Sequence, residues 1–190
     1  MGRRPRPGRQ QTSCPRQASR QGFYETFETE MAIDKDLFRR VMSHFAAGVT
    51  VVTTIDRERR PHGLTATAFT SVSLEPPLVL VCVDKQAETY PQFEPAGVFA
   101  VNFLSLGQRD ISQHFAKHGG DKFSGLAWRP GALGAPLLNG TIGHVECRIR
   151  HWYDAGDHTI MVGEIDSAEA VDGEPLLHFR HAYHRVGDAQ

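Results

Sequence analysis

The chain is short of several things, and each shortage removes a class of function. It has three cysteines, Cys14, Cys82 and Cys147, none closely spaced. That argues against a disulfide framework or a Cys-based zinc site, and it suits a reducing, cytoplasmic compartment. No apolar run approaches the roughly 20 residues of a membrane-spanning helix. The longest, Pro77 to Val83, is the length of a strand. No apolar stretch follows the Arg-rich N-terminus, so it does not read as a secretory signal. The dinucleotide pattern G-x-G-x-x-G is missing. So are the P-loop pattern, the G-x-S-x-G elbow and the H-E-x-x-H zinc pair. Any nucleotide must be held by some other device, and no metal is expected.

The formal net charge of −1 hides a split. Residues 1–30 carry six arginines and three glutamates; residues 31–190 carry 15 basic and 19 acidic residues. The first 30 residues hold too little apolar surface to offset their ordering entropy, and are expected to be a disordered arm. Met31 is an alternative start, and an acidic partner for the arm is the alternative reading. The body, 31–190, is mildly acidic, which gives it no reason to bind nucleic acid.

What is there is mostly strand. Asp34 is a plausible N-cap for an amphipathic helix over 35–46, with Leu37, Phe38, Val41, Met42 and Phe45 at helical spacing. Val49–Ile55 is β-branched throughout. His62–Ser73 reads as strand plus loop, and Leu78–Val83 as a buried strand. A short helix falls in 84–97, and a strand in Val98–Leu104. Ser105 opens a third helix bearing Ile111 and Phe115. Residues 121–140 read as an irregular crossing. Three strands follow, at 142–152, 158–168 and 176–183, the first two joined by the turn Asp154-Ala-Gly-Asp157. Six or seven clustered strands with helices outside the strand runs predict a mainly β, α+β barrel of antiparallel strands with peripheral helices.

His178, His181 and His184 invite a metal reading. On one strand, though, the first and third share a face while His181 points away, so the three do not converge.

Several segments resemble, in order, the flavin reductase-like proteins built on an FMN-binding split barrel. They are Phe45–Thr54, His62–Leu78, Phe99–Leu104, Asp121–Gly125, Gly156-Asp-His158 and Pro175–Leu177. The resemblance runs from about residue 35 to 185. It implies FMN or FAD as the flavin, NADH or NADPH as hydride donor, a homodimer, and a partner monooxygenase that receives reduced flavin. The nearest subgroup is the reductase component of two-component monooxygenases. By the same resemblance the flavin-binding residues are His62, Gly63, Leu64, Thr65, Ala66, Thr67 and Ala68. Cys82, Val83, Asp84, Lys85 and Thr89 follow, with Lys85 and Thr89 toward the phosphate. His114, Phe115, Lys122 and Phe123 close over the flavin, and His158 serves the nicotinamide.

The residue types suit these tasks. Small side chains from Gly63 to Ala68 let backbone approach a flat ring. Backbone N–H groups stabilise charge on a reduced flavin. On β-propensity alone, however, the same stretch is simply a Thr-rich strand. The family often has Ser or Arg where Ala87 and Glu88 stand, and Glu88 must turn away if a phosphate binds near it. Hydride transfer itself needs no protein acid or base, so no obligatory catalytic residue is expected. The other readings are a flavin-binding barrel without turnover, and an interaction protein acting through its Arg-rich arm.

Overall fold

The structure, a computed structural model, describes residues 33–187. The Arg-rich arm lies outside the described residues. The chain divides between Phe38 and Arg39 into two units, and nearly all described residues belong to the second.

Helix α1 (Lys35–Met42) is shorter than the periodicity predicts. Asp34 caps it, its Oδ1 accepting the N–H groups of Asp36 and Leu37 at 2.9 and 2.8 Å. A turn over Ser43–Phe45 replaces the last stretch. None of the helix residues is buried.

The strands are β1 (Ala47–Gly48), β2 (Thr50–Ile55), β3 (Pro61–Ala66), β4 (Phe69–Ser73), β5 (Leu78–Asp84), β6 (Val98–Phe103), β7 (Trp128–Pro130), β8 (Pro136–Leu138), β9 (Gly143–Ala155), β10 (His158–Ala170), β11 (Leu177–Phe179) and β12 (Ala182–His184). Helices α2 (Tyr90–Ala96) and α3 (Arg109–Ala116) flank β6 in sequence. Seven strands form one antiparallel sheet in the order β3-β2-β6-β9-β10-β5-β4. This is the split barrel of the expected mainly β class. Its two edge strands, β3 and β4, are consecutive in the chain and joined by Thr67-Ala68, so this short link crosses the split.

Strand β2 shows why this sequence folds this way. All six of its residues are buried. Val52 belongs to one core cluster, with Val81, Val83, Phe93, Phe99, Val101 and Met161. Val51 points the other way, into a second cluster with Leu104, Phe115, Phe123 and Leu176. Each such valine stabilises the fold by roughly 1.5–3 kcal/mol. The intervening threonines are buried without loss because their hydroxyls donate to carbonyls: Thr50 to Ala66, Thr53 to Pro136 and Thr54 to Val98.

The crossing segment 121–140 is more ordered than expected. β7 and β8 pair within it and lie against the barrel. The buried amide of Asn102 fixes this ribbon, accepting the Leu138 N–H at 2.8 Å and donating to the Val51 and Pro136 carbonyls. At Gly163, flanked by a bulge, an added Cβ would lie 2.5 Å from the Phe99 ring, so only glycine fits.

The expected final strand is instead a tight hairpin. β11 and β12 turn at Arg180-His181, both with positive φ. His178 lies opposite Tyr183, and Leu177 opposite His184, so two of the three histidines stand on different strands and the third is in the turn.

Candidate functional site

A cleft of about 290 Å³ opens at the split. Its floor is the segment Leu64–Ala68. Strand β3 is an edge, so alternate backbone groups face away from β2. Gly63 turns its carbonyl outward, where it accepts the Thr89 hydroxyl at 2.9 Å. By alternation Thr65 presents its own N–H and C=O on that outer side. The Thr65 hydroxyl donates to the Ser112 carbonyl at 2.6 Å, which locks β3 against α3.

Strand β5 supplies a second wall. Its burial alternates residue by residue. Cys82 and Asp84 line the cleft, whereas Val83, between them, is fully buried in the core. The period of two separates these neighbours, so Val83 offers the cleft no side chain.

Lys85 also turns elsewhere. Its Nζ donates to the Asp154 carboxylate and the Gly156 carbonyl, and its N–H to the Asp157 carbonyl. It ties β5 to the β9–β10 turn and does not line the cleft. Thr89 does line it, but is buried and spends its hydroxyl proton on Gly63. Two lysines line the cleft, Lys117 and Lys122, and the Nζ of Lys122 donates to the Phe115 carbonyl at 3.2 Å. Burial lowers its pKa, against an opposing pull from Glu88. The Lys122 carbonyl in turn accepts His114 Nε2 at 3.0 Å, so His114 positions Lys122 from behind rather than lining the cleft itself.

Glu88 lines the cleft too, and its charge is occupied. Both carboxylate oxygens accept the Gly119 N–H at 2.9 Å, pinning the loop after α3. Nothing in its sequence context signals that partner, which lies 31 residues away.

Phe115 reaches the cleft from the second core cluster, edge-on to Phe123 at 5.1 Å, and packs so close to Gly63 that a Cβ there would lie 2.8 Å from its ring. His158, at the start of β10 and opposite Asp84, completes the lining. Its side chain is 42% exposed and its Nδ1 lies 2.7 Å from the Asp157 carboxylate. This hydrogen bond holds the Asp157 carboxyl below its ordinary range. An ionised Asp157 makes Nδ1 the donor, which leaves Nε2 outside this hydrogen bond.

A second cavity of about 560 Å³ adjoins the first and shares Glu88, Thr89 and Lys122 with it. His62, Gly63 and Phe123 line this one instead. Apart from Val83, Lys85 and His114, which line neither, the predicted residues thus divide between two adjoining cavities. Arg60 and Trp128 enter the second cavity unannounced by the sequence.

A cleft with a small-residue floor, outward backbone groups and two lysines fits a flat, hydrogen-bonding ring with an anionic tail. The family described as flavin reductase like domain matches residues 42–187, and the chain belongs to it. Among similar proteins is an NADH-dependent FAD reductase of Streptomyces globisporus, 46% identical over 71% of this chain and 76% of its own length. Another is the flavin-dependent monooxygenase reductase subunit HsaB of Mycobacterium tuberculosis, 38% identical over 80% of this chain and 82% of that protein. A solved structure of the S. globisporus NADH:FAD oxidoreductase SgcE6, with NAD and FAD fragments, superposes with a TM-score of 0.77. It is 42% identical and covers 81% of this chain and 93% of that one.

Proposed function

We propose that the chain is an NAD(P)H:flavin oxidoreductase that passes reduced flavin to a partner monooxygenase. The observation that carries this is the cleft at the barrel split, lined by Leu64–Ala68, Cys82, Lys122 and His158. A bound flavin supplies an N5 that accepts hydride from a dihydronicotinamide. The protein's part is to hold two rings in register at about 3–3.5 Å, which is an orientation task. The outward main chain of Thr65 offers both a donor and an acceptor to a ring edge. Lys122 serves the phosphate in place of Lys85. His158, whose Nε2 lies outside the Asp157 hydrogen bond, serves the carboxamide of the nicotinamide. FMN or FAD, and NADH or NADPH, all meet these requirements. The relatives named above favour FAD and NADH.

The test is NAD(P)H oxidation by the full chain with each flavin. No flavin-dependent acceleration would leave a binding barrel without turnover. Cys82 gives an independent probe. Alkylation at Cys82, followed by peptide mapping, is expected to slow about tenfold with flavin at about ten times its dissociation constant. Cys147 should stay unlabelled in the folded protein, because burial, together with Glu146, pushes its thiol pKa up to about 12.

A homodimer is the proposed assembly. Leu37, Phe38, Val41 and Met42 of α1 are exposed, as are Phe45 at 74% and Leu74 at 92%. Apolar surface of this kind favours a self-complementary interface. Light scattering on the eluted protein should give twice the chain mass. Among the described residues, no helix is long and apolar enough to cross a membrane. A cytoplasmic location follows from the need for a nicotinamide pool and a reducing environment, and no nucleic acid partner is proposed.

A further inference from the structure

The two adjoining cavities meet at three residues, Glu88, Thr89 and Lys122, which line both. Around this junction Lys117 stands on the cleft side, and Asp121 and Arg60 on the other. Most of these charges are committed within the chain. Arg60 Nε donates to the Asp56 carboxylate at 2.6 Å, and its Nη2 to Glu58 at 3.2 Å. Asp121 turns Oδ1 back on its own loop, where it accepts the Phe123 and Ser124 N–H groups at 3.0 and 3.2 Å. Asp84, the other carboxylate of the cleft, is paired in the ladder with His158 and accepts the Gln86 N–H at 2.8 Å.

Glu88 is different. A carboxylate at this place should turn away from any phosphate, yet Glu88 lines both cavities beside Lys122. It is fastened there, since both of its oxygens accept the Gly119 N–H at 2.9 Å. Gly119 and Gly120 both have positive φ, a conformation that glycine adopts without strain, and this brings the loop after α3 to the carboxylate. A neutral N–H satisfies the hydrogen bonding of the oxygens but does not cancel their charge. That charge is felt by Lys122, whose pKa Glu88 pulls upward against the effect of burial. The lysine of the junction therefore answers to a carboxylate of its own chain. A phosphate monoester carries close to two negative charges at neutral pH. Drawn to Lys117 and Lys122, it also meets Glu88. Because Glu88 is exposed, its repulsion is screened by water and salt and is modest in size.

We propose that Glu88 limits flavin affinity from inside the site: fastened by Gly119 at the lysine end of the cleft, its carboxylate opposes the flavin phosphate, so that flavin is held loosely and exchanges as a substrate. The proposal rests on the flavin reductase reading above and deepens it by naming a residue whose removal improves binding. The nicotinamide dinucleotide also brings phosphates, so the experiment separates the two sources.

Dissociation constants for FMN, FAD and riboflavin are measured by calorimetric titration of the full-length protein. Riboflavin has the ring and ribityl chain of FMN without the phosphate. The riboflavin constant divided by that of either phosphorylated flavin therefore isolates the phosphate and cancels any general effect on folding or ring binding. In Glu88→Gln, which keeps an acceptor for the Gly119 N–H, this ratio should rise about tenfold over wild type. Glu88→Ala should raise it in the same direction. The rise should shrink as salt goes from about 0.05 M to about 0.5 M, and release of the phosphorylated flavin should slow. Glu94→Gln neutralises a carboxylate of α2 that lines neither cavity and should leave the ratio unchanged. An unchanged or lower ratio in Glu88→Gln would overturn the proposal, and so would an equal rise in Glu94→Gln, which would reduce the effect to net charge. A fall in the KM for NADH with riboflavin as acceptor, at an unchanged flavin ratio, would also overturn it and assign Glu88 to the nicotinamide dinucleotide. A wild type that binds and reduces flavin while the variants leave the ratio unmoved defeats this inference alone; one that binds none of the three flavins defeats the reading beneath it.

Discussion

Replacing Glu146 by alanine is expected to destabilise the protein by about 3–5 kcal/mol, since it strips a shared acceptor from three donors that each then lose roughly 1–3 kcal/mol. Glu146 is 2% exposed, in the first half of β9. Its Oε1 accepts the Ala132 N–H at 3.0 Å and the Ser167 hydroxyl at 2.9 Å, and its Oε2 accepts the Leu133 N–H at 2.9 Å. The carboxylate thereby holds the turn between β7 and β8 onto the sheet. The midpoint of thermal unfolding should fall by about 10 °C, taking roughly 2–4 °C per kcal/mol for a chain of this size. Glu146→Gln should lose about half as much, because the amide keeps one acceptor oxygen. Gly131 faces the same carboxylate, and a Cβ there would run into it. Gly131→Ala should therefore cost less in the Glu146→Ala background than alone, a coupling that a double-mutant cycle reads directly. A Glu146→Ala protein within 1 kcal/mol of wild type, by urea unfolding, would show that water satisfies these donors instead.

The second large effect is expected at Lys122. Lys122→Met should weaken flavin binding by about 10–100-fold, the size of a lost hydrogen bond to a charged group. The turnover number at saturating flavin should change little, because a phosphate contact binds ground and transition states alike. The contrast is Lys85→Met, which loosens the β9–β10 turn yet should leave flavin affinity within a few-fold. Both dissociation constants come from the same titration. If the two variants exchanged roles, the phosphate would lie where the sequence first pointed, beside Lys85.

That exchange shows how far the sequence could be read. β2 announced itself through an unbroken β-branched run, and the small residues of 63–68 marked the floor of the cleft. Lys85 and Lys122 could not be ranked, because the partner that occupies Lys85, Asp154, lies near the end of β9, 69 residues on. Val83 was grouped with its neighbours although strict alternation sends it inward. Glu146 sits between the apolar Val145 and Cys147 and so has the pattern of a solvent-facing residue. It is buried because the β7–β8 ribbon covers that side of the sheet, and the ribbon lies in a stretch whose glycines and prolines suggested only a loop. Arg60 and Trp128 belong to segments read as a turn and a crossing, and only the folded chain brings them to one cavity.

The pairing of Asp84 with His158 has one further bearing. Across the cleft mouth the chain keeps a ruler, graduated in residues rather than ångströms: the β5–β10 ladder runs from that pair without a slip to Leu78 and Glu164. A residue inserted in the turn before His158 would lengthen an exposed loop and leave the graduation intact. The same insertion one step later, inside β10, would turn every following side chain to the opposite face. Variation among relatives in the length of this hairpin is therefore compatible with an unchanged cleft, provided it falls on the turn side of His158.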